Sequence, residues 1–458
     1  MNSESTGRKN PLEKFLSIFT EVKAGEGLTA LLLFFNLFIL LMAYYVVKTV
    51  REALILAGSG AEVKSYSAAG QALLLLVAVP LYSRLAGRFN RRKLINVVTL
   101  FFIVCLLFFY LLAYLEFPLG VIFYLWVGIF SLMVVAQFWA FANDLYTPEA
   151  GKRIFVIIAF GASAGAVVGS FAAGRLIEPF GIYQLMLISA LLLVVNLLIT
   201  NWVDAREKMR MVKPDVPALD TAEAPIGKGD AFRLVFSSRY LLLIAFLLLF
   251  LNWVNTTGEY ILGRTVERAA LDYVNMGVEP SLTVAQYIGK FYSDFFTVVN
   301  LVGLLMQLFL VSRILKYLGV RAAILFLPVI ALGGYIIMAF YPLLGAIRWA
   351  KTAENATDYS LQNTVRQVLF LPTTREEKYK AKQAIDTFFV RAGDVLSAGL
   401  VYLGVQVFAF QTRQFALLNL FLVGVWIILS ILIGLEYRRR TRQQNNADFT
   451  TDISDSGA

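Results

Sequence analysis

Charged and amide side chains recur inside the most apolar segments of this chain, and their types and spacing could do chemistry. In YYVVKTVREALIL, residues 44–56, Lys48, Arg51 and Glu52 follow a long apolar run. An ionisable side chain at membrane depth is costly and marks a functional site, unless it snorkels to the interface. Arginine and lysine are natural partners for phosphate or carboxylate oxygens. The stretch therefore predicts part of an anion site, with snorkelling as the alternative.

Four further apolar segments carry residues of the same kind. In the seventh and tenth segments, steps of three and four place these residues on one helical face, because an α-helix turns by about 100° per residue. The residues are Asp144 in the fourth segment, Asn252, Asn255 and Glu259 in the seventh, Arg348, Lys351, Asn355, Asp358, Gln362 and Arg366 in the tenth, and Asp386, Arg391 and Asp394 in the eleventh. Arg391 and Asp394 also fit an internal ion pair. A cationic lining with scattered carboxylates suits a multivalent organic anion.

The elements that must position these residues are membrane spans. The chain has 458 residues, of which 59% are hydrophobic and 16% charged, whereas a soluble domain is about 45–50% apolar. Helices satisfy their own backbone hydrogen bonds in lipid, so the fold class is predicted as an all-α membrane protein with about twelve transmembrane helices. The predicted spans are 28–56, 66–86, 94–114, 119–141, 154–176, 182–202, 239–263, 292–312, 321–341, 343–370, 384–403 and 414–435.

Several kinds of chemistry are excluded by what the sequence lacks. It contains no histidine and one cysteine, Cys105, which lies in the middle of an apolar run. Disulfides, cysteine or histidine zinc sites and histidine-based catalysis are therefore excluded within the chain. The glycine-rich loop GxxxxGK[ST], which cradles a nucleotide for hydrolysis, is also missing. We expect no enzyme activity, no cofactor and no metal.

The basic residues indicate topology. Net charge is +10, and lysine and arginine crowd alternate connections such as RFNRRK after the second span and YRRRTR after the last. By the positive-inside rule both termini are predicted to be cytoplasmic, and no nucleic-acid partner is needed to explain the charge. Lys382, at the junction of such a connection with the eleventh span, is open to the same topological explanation.

The two halves of the chain look related. LYSRLAGRFNRRKLI at 81–95 aligns with LVSRILKYLGVRAAI at 310–324, and Asn36 falls on Asn252. Two six-span halves, a polar linker and basic loops after spans 2 and 8 resemble the major facilitator superfamily. The resemblance implies parallel repeats and a substrate cavity lined by helices 1, 4, 7 and 10. The predicted domains are a cytoplasmic segment 1–27, halves 28–203 and 239–436, a linker 204–238 and a tail 437–458.

Three segments resemble a narrower family, the ATP/ADP translocases of obligate intracellular bacteria and plastids, which are non-mitochondrial nucleotide transporters. They are YYVVKTVREALILAGSGAE at 44–62, FWAFANDLYTPEAGKRIF at 138–155 and YKAKQAIDTFFVRAGD at 379–394. The resemblance implies that the family's important charges fall on Arg51, Asp144 and Lys382, with Lys48 in the same signature as Arg51. The family's acidic residue in helix 7 falls on Asn255, a departure, and Glu259 lies one turn further on.

We therefore expect a secondary transporter of nucleotides, by ATP/ADP-type exchange, or of a related phosphorylated anion, working by alternating access. Lys48, Arg51 and Lys382 would neutralise phosphates, and the cations of the tenth span would guide the substrate inward. Asp144, Glu259 and Asp394 would partner those cations between substrates. The alternative is a proton-coupled permease for another organic anion. We expect a monomer in a bacterial inner membrane.

Overall fold

The computed structural model describes residues 10–17, 20–23, 25–86, 90–211, 231–277, 279–374 and 376–456. All regular secondary structure in these ranges is helical, which confirms the predicted all-α class. The α-helices are α1 Pro11–Leu16, α2 Gly27–Ala86, α3 Arg91–Tyr114, α4 Gly120–Leu145, α5 Pro148–Phe180, α6 Gln184–Met211, α7 Ala231–Ser237, α8 Arg239–Asn275, α9 Val284–Phe309, α10 Val311–Tyr317, α11 Gly319–Phe340, α12 Leu344–Thr357, α13 Asn363–Leu369, α14 Lys382–Ala384, α15 Val390–Tyr402 and α16 Thr412–Ser456.

Four π-helical segments interrupt the second half of the chain. They are Asp358–Gln362, Glu377–Ala381, Ile385–Phe389 and Leu403–Val407. The first lies between α12 and α13, so that helical structure is continuous from residue 344 to residue 369. Single π-helical turns inside α-helices are rare and are frequent at functional sites. The sequence pattern of the tenth span predicts a helix here and does not reveal this change of hydrogen bonding.

Ten helices in the described residues are long and apolar enough to cross a membrane. One of them, Gly27–Tyr82, has 56 residues, whereas a span needs only about 20. It therefore has the length of two predicted spans. The continuous helix at 344–369 is also long enough to cross but carries several charges. These two features account for the difference between the ten apolar helices and the twelve predicted spans.

The stretch between the first two predicted spans, 57–65, contains a kink at which two helices meet within α2. These residues are helical, and only Gly60, with φ 86° and ψ 167°, leaves the helical conformation. Glycine adopts a positive φ without a steric penalty because it has no Cβ. The carboxylate of Glu267 in α8 accepts a hydrogen bond from the Ala61 N–H at 2.9 Å. A distant carboxylate thus satisfies a backbone donor at the bend, which the local sequence does not show.

The chain divides into two compact units. Unit 1 comprises Met1–Ser59, Val77–Thr221 and Val274–Val298, and unit 2 comprises Gly60–Leu76, Ala222–Tyr273 and Val299–Ala458. The halves and linker drawn from the sequence stay predictions. Within the predicted linker 204–238, α6 continues to Met211 and α7 occupies Ala231–Ser237, and 212–230 lie outside the described residues.

In unit 1, an asparagine pair joins α2 to α6. The side-chain amide of Asn36 donates to the carbonyl of Asn196 at 2.9 Å, and the amide of Asn196 donates to the carbonyl of Asn36 at 2.9 Å. Both residues are buried. Buried polar groups are costly unless they are hydrogen-bonded, so the pair fixes the register of the two helices. Asn36, which the sequence alignment places opposite Asn252, is therefore a packing residue in unit 1.

Glycines spaced by four residues bring α5 against α2. Cβ atoms added at Gly161, Gly165 and Gly169 would overlap the backbones of Phe34, Phe38 and Met42 respectively. The matching spacing of four on both helices shows two ridges in contact along two turns. Small residues permit such close approach between membrane helices. These three glycines therefore form a close-packing face of α5.

In unit 2, the carbonyl of Val254 in α8 has two side-chain donors. The hydroxyl of Tyr335 in α11 donates to it at 3.0 Å, and the amide of Asn419 in α16 donates to it at 3.1 Å. A Cβ added at Gly393 of α15 would lie 2.8 Å from the carbonyl oxygen of Leu249. Helices α11, α15 and α16 therefore pack closely around α8.

We expect Gly165→Ala to lower the thermal unfolding midpoint of the detergent-purified protein. The added methyl group has no space at the Phe38 backbone, and overpacking of this kind costs about 1–3 kcal/mol. The matched control is Gly399→Ala in α15, where an added Cβ has no atom within 4 Å. Equal midpoints for the two variants would contradict the assigned contact between α5 and α2.

Candidate functional site

In unit 1, Lys48 is held by aromatic rings. Its Nζ lies 4.1 Å from the ring centre of Phe296 in α9 and 5.0 Å from that of Tyr45. The residue is 9% exposed. A snorkelling lysine leaves its ammonium in water, so this burial argues against the snorkelling alternative. An ammonium over aromatic faces is attracted electrostatically while it keeps its charge.

Arg51, about one turn further along α2, combines an acidic and an aromatic partner. Its Nε donates to Glu52 Oε1 at 3.0 Å, and its Nη2 donates to the same oxygen. Its guanidinium carbon lies 4.7 Å from the ring centre of Tyr124 in α4. The arginine side chain is 13% exposed and that of Glu52 2%. The carboxylate therefore engages the Nε and Nη2 edge of the guanidinium.

Asp144 lies in a different polar region of unit 1. It is exposed at the end of α4 and lines a cavity of about 240 Å³ together with Arg92, Asp204 and Lys208. Arg92 lies 3.5 Å from Asp204, and Lys208 lies 2.8 Å from the same carboxylate. The lining of this cavity does not include Lys48 or Arg51.

Unit 2 centres on the ammonium of Lys351, which is fully buried in α12. Its Nζ lies 2.8 Å from Asn255 Oδ1, 3.0 Å from Glu354 Oε1 and 3.5 Å from Glu259 Oε1. Asn355 donates its side-chain amide to the same Glu259 oxygen at 2.9 Å. Asn255 and Glu259, one turn apart on α8, thus face one cation. The site prediction omitted Glu354, although its spacing of three from Lys351 places it on the same face.

Asp394 in α15 forms a second polar centre. Its Oδ1 accepts hydrogen bonds from the Asn252 amide and the Thr256 hydroxyl of α8, each at 2.8 Å, and its Oδ2 lies 3.3 Å from Arg391. Asp394 is 7% exposed. This geometry is that of the internal ion pair that the sequence left open as an alternative. It also ties α15 to α8.

Among the remaining predicted residues of unit 2, Asp358 and Arg366 share a cavity with Asn252 and Asn255 of these two centres. Arg366 bonds to Asp386, and Asp358 and Arg366 line one cavity of about 340 Å³. Lys382 donates to Gln367 Oε1 at 2.5 Å, and its Nζ lies 5.5 Å from the ring centre of Phe370. Arg348 is half-buried near the start of α12. In the part of the chain that the structure describes, no group of three or more acidic, cysteine or histidine residues could hold a metal ion.

A family comparison agrees with this architecture. Residues 27–353 match the family model of the Major Facilitator Superfamily. The chain belongs to the major facilitator superfamily. It is therefore an integral multi-pass membrane protein and a transporter of that superfamily's type.

Curated relatives confirm the resemblance to the ATP/ADP translocases within the superfamily. The chain is 24% identical over 345 residues to ADP,ATP carrier protein 1 of Chlamydia pneumoniae, covering 65% of this chain and 63% of the carrier. It is 21% identical over 341 residues to the protein of the same name from Chlamydia muridarum, covering 65% of this chain and 61% of that protein. The chain thus matches less than two thirds of the length of either carrier.

Solved structures share the fold at low identity. The nucleoside transporter NupG superposes with a TM-score of 0.60 at 14% identity, over 90% of this chain and 99% of that one. A bacterial homolog of the human lysosomal transporter Spinster gives a TM-score of 0.59 at 13% identity, over 94% and 99% of the two chains. At these identities the similarities show that the chain shares its fold with these transporters.

We expect Lys351→Met to lower the unfolding midpoint strongly in detergent. The substitution leaves Glu354 and Glu259 without their shared cation, and breaking a buried ion pair by removing one partner costs about 3–5 kcal/mol. The matched control is Lys208→Met, which removes a lysine whose side chain is 58% exposed and paired with Asp204. An exposed pair contributes about 0.2–1 kcal/mol.

A second variant separates lost charge balance from lost packing. Adding Glu354→Gln and Glu259→Gln to Lys351→Met removes the uncompensated charges and is expected to restore most of the midpoint. If Lys351→Met were no more destabilising than Lys208→Met, the buried cation would not organise unit 2.

Proposed function

We propose that this chain transports nucleotides by ATP/ADP-type exchange, or a related phosphorylated anion, across a bacterial inner membrane with both termini cytoplasmic. The observation that carries the proposal is the pair of buried cations on α2, Lys48 and Arg51, held partly by aromatic rings. The names of the Chlamydia carriers support the nucleotide as substrate.

The environment of these two cations suits a phosphate. Lys48 contacts ring faces, which attract the ammonium without neutralising it. Glu52 engages one edge of Arg51, and a guanidinium carries five N–H donors in all. Hydrogen bonds between such ionised donors and phosphate oxygens are short and strong. Among the described residues, the carboxylate with which a phosphate at Arg51 would compete is that of Glu52.

The carboxylates give a physical reason for exchange. Glu52 compensates Arg51 when no anion is bound, and a phosphate would replace that compensation. In unit 2, Glu259 and Glu354 hold Lys351 in the same way, and Asp386 holds Arg366. We assign Lys382, Arg366 and Asp358 as further substrate contacts, and Lys351, Arg391 and Asp394 as the ionic framework that supports them. Asp144 and Arg348 stay candidates on the strength of the sequence alone.

The test is uptake of labelled ATP by liposomes that contain the purified protein, with and without ADP inside. We expect saturable uptake that internal ADP accelerates. Arg51→Ala should lower kcat/KM by about 10-fold or more, because a hydrogen bond to a charged group contributes about 1.5–3 kcal/mol. Arg51→Lys keeps the positive charge but loses the planar set of guanidinium donors. Its kcat/KM should therefore fall less than that of Arg51→Ala.

The matched control is Lys290→Ala in the same unit. Lys290 is an exposed cation 3.4 Å from Glu178, and its loss should leave uptake unchanged. Absence of saturable ATP uptake would contradict the nucleotide proposal, and full activity of Arg51→Ala would contradict the assigned anion site. Uptake that a pH gradient drives without internal ADP would support a proton-coupled permease instead.

A further inference from the structure

A cavity of about 340 Å³ lies within unit 2, beside the first π-helical segment. Its polar lining comes from α8, the π-helical turn and α13, and includes Asn252, Asn255, Asp358, Gln362 and Arg366. Pockets for small organic ligands begin at about 300 Å³. The cavity therefore has room for a heterocyclic ring, in a region where the chain departs from α-helical geometry.

Gln362 is the unusual member of this lining. It is 2% exposed, and neither its Oε1 nor its Nε2 has a hydrogen-bond partner in the part of the chain that the structure describes. An unsatisfied buried polar group costs about 1–3 kcal/mol, so a buried side-chain amide with both ends unsatisfied is destabilising. Such a group needs an explanation, and a ligand that completes its hydrogen bonds is one.

The neighbouring amides are already engaged. Asn255 Oδ1 accepts from the Lys351 ammonium at 2.8 Å. The Asn252 amide donates to the Val390 carbonyl at 2.7 Å and to Asp394 at 2.8 Å. These bonds tie both asparagines to the ionic framework. Gln362 also lines the cavity, and its buried donor and acceptor ends both lack a partner among the described residues.

A carboxamide with both ends available matches the edge of a nucleobase. Glutamine pairs bidentately with an adenine edge, whose exocyclic N6 amine donates beside a ring nitrogen that accepts. The apolar side chains of Leu248 and Leu251 and the ring of Tyr359 also line the cavity and suit the faces of a planar ring. Inorganic phosphate has no such donor and acceptor edge.

We propose that this cavity binds the base of the transported nucleotide, and that the Gln362 amide selects a base edge with a donor beside an acceptor. The inference rests on the proposed function, because it requires a nucleotide substrate. It adds a specificity-determining residue in unit 2, distinct from the cations that contact phosphate.

The test compares ligands that share phosphates but differ in the base. Apparent Kd values come from ligand-dependent shifts of the unfolding midpoint of the purified full chain. The ligands are ATP, the purine nucleoside triphosphate that lacks the 6-amino group, and inorganic tripolyphosphate. For the unsubstituted protein we expect ATP to bind most tightly and tripolyphosphate least tightly.

Gln362→Leu should weaken ATP binding by about 5–150-fold, the range of one bidentate base contact. Its affinity for tripolyphosphate should not change. Without ligand its unfolding midpoint should equal or exceed that of the unsubstituted protein, since an unsatisfied amide is removed. Gln362→Glu keeps the shape of the side chain but loses the amide donor. It should show the same selective loss of ATP affinity, and it replaces Gln362→Leu in the test if that variant does not fold.

The matched control is Gln137→Leu in unit 1. Gln137 is 4% exposed and also has no partner for either amide atom, but the cavity that it lines is only about 20 Å³. This volume is too small for a base, so ATP affinity should be unchanged in the control. An equal effect of Gln137→Leu and Gln362→Leu on ATP binding would overturn the assignment.

The two proposals fail in different ways. If the unsubstituted protein binds ATP and tripolyphosphate equally, or if Gln362→Leu weakens both or neither, the base site is wrong while the anion site stands. If the unsubstituted protein binds neither ligand and takes up no ATP, the nucleotide function is wrong and the base site falls with it.

Discussion

The buried ammonium of Lys351 is the charge on which the arrangement of unit 2 depends. An ion taken out of water must find its compensation inside the protein, and here that compensation comes from Glu354 on its own helix and from Asn255 and Glu259 on α8. These contacts fix α12 against α8. Even the space around the cation is limited, because a Cβ added at Gly258 would lie 3.0 Å from the Lys351 Nζ.

The same packing devices recur in the two units. In unit 1, Asn196 of α6 donates to the carbonyl of Asn36 in α2, and in unit 2, Asn419 of α16 donates to the carbonyl of Val254 in α8. Each is a contact between the last and the first long helix of one half of the chain. In each half a glycine of the fifth predicted span also lies against the backbone of the first, at Gly165 and at Gly393. These paired contacts support the repeat that the sequence alignment indicates.

The sequence predicted the helices and their polar faces because apolar length and helical spacing are local properties. Arg391 and Asp394 were found as a possible ion pair from a spacing of three residues. The bend at Gly60 falls in the break predicted between the first two spans, but its contact with Glu267 was not predicted because that residue is far away in the sequence. The π-helical turn at Asp358–Gln362 was missed because a single turn of five residues is too short for its different period to appear in the apolar pattern. Which site residues come together depends on which helices are in contact. The spacing of residues along one helix does not predict those contacts.

The two units hold their cations by different means, and this difference bears on anion binding. Lys48 lies over two aromatic rings, whereas Lys351 lies among two carboxylates and an amide. A ring face attracts a cation by about 0.5–2 kcal/mol without carrying a formal negative charge. A carboxylate partner must be displaced or share its cation. This difference agrees with the proposed roles, in which Lys48 contacts the anion and Lys351 belongs to the ionic framework of unit 2.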